Sequence, residues 1–91
     1  MPTMTVWPKI EEGRAAQALE ELGEKLDSAV GEVVLDFSPV RKIDTSAVHA
    51  LERLARIAEE KGVKVVLSGV NVQVHKVLTL LRLKSRFWFV N

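Results

Sequence analysis

Two short runs, Glu32-Val33-Val34-Leu35-Asp36-Phe37 and Val63-Lys64-Val65-Val66-Leu67, constrain the fold more than any other feature of the chain. Both are strand-length, mainly apolar and rich in β-branched residues, and the first is continuous rather than alternating. Both runs predict strands, and the continuous first run predicts one covered on both faces in the middle of an α/β sheet. Between them Ala47, Ala50, Leu51, Leu54 and Ala58, joined by Val48, Ala55 and Ile57, form a wide apolar stripe, while Glu52, Arg53, Arg56, Glu59 and Glu60 fall on the other side. The stripe predicts a helix with Glu52 and Arg56 in the favourable i, i+4 order, closed by Lys61-Gly62. Strand, helix and strand in succession imply a right-handed crossover between parallel strands.

The flanks extend this alternation. Met4-Thr5-Val6-Trp7 is β-prone and stopped by Pro8, which predicts a strand near an edge. Ala15, Leu19, Leu22, Leu26 and Val30 recur at helical spacing, with Glu11 and Glu12 suiting the positive end of the dipole and Gly31 as the stop. Gly23 inside this helix costs about 1 kcal/mol relative to alanine, so packing must hold it. Asn71 is positioned to cap a third helix ending near Leu83, with Val74, Val77, Leu78 and Leu81 toward the core and Val72, Leu80 and Leu83 off the stripe. Arg86 to Val90 has strand propensity and no breaker. The expected architecture is therefore a single small α/β domain over residues 1–91, with a mostly parallel four-stranded sheet in the order β-α-β-α-β-α-β. Groups for binding are expected in the loops beyond the carboxyl ends of the strands, from Asp36 to Ala47 and from Ser68 to Asn71.

Size and charge narrow the function classes. A chain of 91 residues buries only roughly 60 to 65% of its unfolded surface, leaving no room for a second domain. Thirteen basic residues against twelve acidic ones create no field favouring nucleic acid or anionic lipid. The absence of cysteine excludes disulfides, thiolate nucleophiles and zinc thiolates, and agrees with a cytoplasmic location. No apolar stretch approaches the roughly 20 residues that span a bilayer, so direct membrane insertion is not expected.

Catalysis would need an acid or base from Asp36, Asp44, His49 or His75, and these make no complete set. The two histidines lie on different helices without Asp, Glu or His at ligand spacing, and read as surface or satisfied polar side chains, so no metal or cofactor is expected. Asp36 ends a strand as a phosphate-accepting aspartate would, yet no acidic pair follows the first strand to hold magnesium. No glycine-rich phosphate loop is present either. The start of the second helix carries more signal. Asp44, Thr45 and Ser46 can each cap its free N–H groups, a structural role worth about 1 kcal/mol. Successive hydroxyls at a helix N-terminus also suit phosphorylation, since the dipole partly stabilises the added charge of roughly −1.5 to −2. Both readings stand on the residues alone.

Val33-Val34-Leu35-Asp36-Phe37-Ser38, then Ile43-Asp44-Thr45-Ser46-Ala47 and Leu51, then Val65-Val66-Leu67-Ser68-Gly69-Val70-Asn71, resemble the STAS domain family between about Glu32 and Leu83. Members include anti-sigma factor antagonists, stressosome components, cytoplasmic domains of SulP-type anion transporters and auxiliary subunits of lipid-transporting ABC systems. The resemblance implies a non-enzymatic protein-binding module whose phosphorylated residue is Ser46, with Thr45 as its neighbour or alternate site, and an anti-sigma factor with serine kinase activity as partner. Asp36, Ser38, Asp44, Thr45, Ser46, Ala47 and His49 are the implied contact residues. This sequence departs from the family in having Ala47 in place of the usual glycine and a reduced N-terminal hairpin. Thr45 to Glu52 and Leu67 to Val70 look especially like the transporter branch, so a transporter subunit is the alternative partner. Stray apolar residues on the third helix and an open sheet edge are the two candidate surfaces for a homodimer.

Overall fold

The computed structural model describes residues 3–6, 9–26 and 31–90, with residues 3–6 described by their backbone. The elements are β1 (Thr3–Val6), α1 (Ala15–Lys25), β2 (Gly31–Asp36), α2 (Thr45–Lys61), β3 (Lys64–Ser68), α3 (Val72–Leu80) and β4 (Trp88–Val90). Short 3-10 turns at Glu12–Arg14 and Lys84–Arg86 precede α1 and β4. The strands pair in the order β1-β2-β3-β4, and each neighbouring pair is parallel. Val33 stands beside Val65 and Leu35 beside Leu67, so the two runs that dominate the sequence form the centre of the sheet. The expected placements of Trp7, Pro8 and Val30 lie outside the described residues.

Sequential order decides where the helices go. When each crossover moves one strand in the same direction and each is right-handed, all the helices stack on one face. Burial follows that rule. Val33, Leu35, Val65 and Leu67 join Leu19 and Leu22 of α1, Leu51 and Leu54 of α2, and Val74 and Leu78 of α3 in one apolar cluster. Val34 alternates with them on β2 and is only partly buried, and Val66 lies outside that cluster. This corrects the expectation that β2 is covered on both faces: its run of apolar residues is continuous, but helices cover one side.

Gly23 has a packing role that offsets its poor helix propensity. A Cβ there would sit 3.2 Å from Ile57 Cδ1, so its absence lets α1 approach α2 closely. The first helix is also shorter than its periodicity predicts. Leu26 is buried but already extended, and Gly31, expected to stop the helix, instead opens β2 at φ 80°. At the far end α2 closes as expected, with Gly62 left-handed at φ 68° and its N–H donating back to the helix carbonyls.

The expected core face of α3 needs a second correction. Leu81 is 49% exposed, whereas Leu83, expected off the stripe, is buried at 3%. The helix ends at Leu80, and Arg82 takes a left-handed φ of 60°, which turns the chain so that Leu83 rather than Leu81 points inward. The last strand is likewise only Trp88–Val90, because Lys84–Arg86 coils into the second 3-10 turn. That turn carries Arg86 to the end of α2, where its guanidinium grips both Glu59 carboxylate oxygens at 2.9 and 2.8 Å.

Candidate functional site

The carboxyl ends of β2 and β3 lead into two loops that touch. Phe37 N–H donates to the Ser68 carbonyl at 2.7 Å, continuing the ladder beyond the strands. Asp36 Oδ1 accepts the Ser38 N–H at 2.9 Å and turns the chain sharply after β2. Bonds from the Ser38 hydroxyl and then its N–H hold the Asp36 carboxyl below the usual carboxylate range. Gly69 closes the other side: a Cβ there would lie 3.0 Å from Ser38 Cβ, and its φ of 71° suits glycine.

The stretch from Val40 to Ile43 is fixed from two distant points. Asn71 Oδ1 caps α3 by accepting the Val74 N–H at 2.8 Å, and the same amide donates through Nδ2 to the Arg41 and Val40 carbonyls at 2.8 and 3.3 Å. From the opposite side, Glu12 Oε1 accepts the N–H groups of both Arg41 and Lys42 at 3.0 Å. Sequence reasoning found the cap of Asn71 and a dipole role for Glu12. It missed that both side chains hold the loop before α2, because partners about 30 residues apart carry no local periodicity. Val40, buried under this loop at 1%, anchors it to the core.

Asp44 begins α2 in extended geometry, and its Oδ1 accepts the Ala47 N–H at 2.8 Å while its carbonyl accepts the Val48 N–H at 3.0 Å. The cap is therefore assigned to Asp44. Thr45 and Ser46 are exposed, and among the described residues neither side chain engages in a hydrogen bond. His49 lies exposed one turn further along. Ala47, expected both on the apolar stripe of α2 and among the contact residues, is buried at 2% in the main cluster, where it packs the corner against the core.

Beside Ser46 an open cleft of about 530 Å³ separates the start of α2 from the start of α1, with Glu12, Arg14, Lys42 and Asp44 among the residues that line it. The first turns of two helices thus face one recess. Among the described residues no three His, Cys, Asp or Glu side chains converge as metal ligands. His75 instead meets the edge of Phe89 at 5.3 Å. The arrangement offers an exposed Ser46 hydroxyl at the head of α2 on the edge of this cleft; at the head of α3, Val72 is 72% exposed.

A family model, STAS domain, matches residues 5–91. No curated protein sequence matches. Among solved structures, the crystal structure of a putative anti-sigma factor antagonist from Thermotoga maritima is 18% identical, with a TM-score of 0.71 over 100% of this chain and 75% of that one. The SulP transporter STAS domain from Vibrio cholerae is 19% identical, with a TM-score of 0.69 over 99% of this chain and 76% of that one. At such identities these likenesses establish the shared fold.

Proposed function

The chain belongs to the STAS domain family, and from that premise we propose that it is a non-enzymatic binding module of the anti-sigma factor antagonist kind, switched by phosphorylation of Ser46. The observation that carries this reading is the division of labour at the start of α2. Asp44 satisfies the cap, so the Ser46 hydroxyl stands exposed and unused by the fold. Transfer of a phosphoryl group from ATP to Ser46 Oγ, with loss of the hydroxyl proton, adds roughly −1.5 to −2 charges at the positive end of a helix. Lys42 and Arg14 line the same recess, so the fold tolerates the new charge. A partner docked over Ser38, Asp44, Thr45, Ser46 and His49 would instead have to desolvate that charge beside the Asp44 carboxylate, which weakens the contact. The catalytic groups belong to the partner, an anti-sigma factor with serine kinase activity in the cytoplasm. Asp36 contributes by shaping the Ser38 turn.

A second reading, docking to a subunit of an anion or lipid transporter through the loops at the carboxyl ends of the strands, is favoured by Val72. An apolar side chain 72% exposed beside the loop suits a partner that stays bound. Incubation with the partner kinase and ATP should give one phosphate mass shift that disappears in Ser46→Ala, and Ser46→Asp should lower partner capture about tenfold while leaving the circular dichroism unchanged. A shift that persists in Ser46→Ala moves the modification elsewhere. Capture of a transporter subunit with equal affinity by Ser46→Asp and the unsubstituted chain would instead support the second reading.

A further inference from the structure

The sheet face opposite the helices does not include Ser46 and shares only Asp36 with the proposed switch site, and its residues stand in three registered rows. Glu32 and Lys64 are cross-strand neighbours, 3.6 Å apart at their charged ends. The next row is apolar, Val34 beside Val66 beside Trp88. The third row is Asp36, Ser68 and Val90. Among the described residues no helix crosses this face; Val66, between Val34 and Trp88, is 5% exposed. Trp88 and Val90 remain 51% and 50% exposed, and the Lys64 ammonium lies 5.1 Å from the centre of the Trp88 ring.

We propose that this face is the contact surface of a homodimer, two copies packing sheet against sheet about a two-fold axis that runs parallel to the strands between β2 and β3. Charge complementarity selects both the occupant and the axis. That rotation lays β2 of one copy over β3 of the other without reversing the strands. Glu32 then faces Lys64 of the second copy, Lys64 faces its Glu32, and the two apolar rows meet between them. Asp36 falls opposite Ser68, a neutral hydrogen-bonding group. The other in-plane two-fold, perpendicular to the strands and centred on the apolar row, sets Glu32 against Asp36 and is repelled. Sheets packed in this way lie about 10 Å apart, a separation that charged side chains reaching from both sides can bridge. Four strands spaced about 4.8 Å apart present a face about 15 to 20 Å wide, which places the contact at the small, reversible end of the interface range. Ser46 lies outside this surface, and Asp36 is the one residue the two contacts share.

Sedimentation velocity over a concentration series at low salt tests this. The unsubstituted chain should pass from monomer to dimer as concentration rises. Lys64→Glu and Glu32→Lys should each weaken association about tenfold, because each sets like charges across the two-fold. An equimolar mixture of those two variants should recover the dimer, since every facing pair is again opposite in sign, and misfolding of either variant could not produce that recovery. A chain that stays monomeric up to millimolar concentration overturns the proposal. So does dimerisation unaffected by either substitution, which would move the contact to a sheet edge or α3, and so does a mixture that fails to associate.

Discussion

Asn71 shows how much of the site depends on single side chains. Its carbonyl oxygen caps α3, and its amide nitrogen holds the loop that delivers Asp44 and Ser46. Asn71→Ala should destabilise the chain by about 1 to 2 kcal/mol in urea denaturation, since it removes a cap and leaves the Val40 and Arg41 carbonyls without that donor. Asn71→Asp keeps the capping oxygen and removes only the donor, so it should fall between the two. An Asn71→Asp variant as stable as the unsubstituted chain would mean that the loop tie contributes nothing. The cap was readable from a polar residue standing before an apolar helical pattern. The loop tie was not, because it joins positions about 30 residues apart that only the fold brings together. The same holds for Glu12, whose place near a helix start was legible while its grip on Arg41 and Lys42 was not. At the start of α2, three adjacent residues were equally able to cap, and backbone geometry assigned the role to Asp44.

Among the elements, α3 separates what periodicity can supply from what it cannot. Val74 and Leu78 are fully buried, as helical spacing requires. Beyond Leu80 the spacing no longer applies, because Arg82 reverses the chain and exchanges the environments of Leu81 and Leu83. Leu83→Ala should therefore cost about 2 to 4 kcal/mol through the cavity it leaves, whereas Leu81→Ala should stay within about 0.5 kcal/mol. Thermal or urea unfolding of the two variants measures this, and the opposite ranking would restore Leu81 to the core. The ion pair of α2 teaches the same lesson. Glu52 and Arg56 are correctly spaced along the helix, but the bidentate pair forms between Glu59 and Arg86, which the turn before β4 brings together.

For the molecule as a whole, acid sensitivity follows from two carboxylates. Bonds from Ser38 hold Asp36 below its ordinary value of 3.8, and the bond from Arg86 holds Glu59 below 4.5. A depressed folded-state pKa contributes stability above the unfolded value and loses it as pH falls through the folded value. The melting temperature should thus be flat from neutrality to about pH 5 and decline below that, with a shallower acid limb in Asp36→Asn. Superimposable acid limbs would show that the Ser38 turn contributes nothing to that decline. The sequence by itself determined the alternation of strands and helices, the parallel central pair and the set of candidate caps at the start of α2, because hydrophobic period, turn residues and caps act over a few neighbouring positions. Only the tertiary structure decided that the helices share one side of the sheet, that Asp44 takes the cap of α2 and that Asn71 and Glu12 converge on one loop. Those outcomes depend on strand order and on contacts between distant segments, which a local pattern leaves open. A continuous apolar run reads the same whether a helix or a second copy covers its outer face.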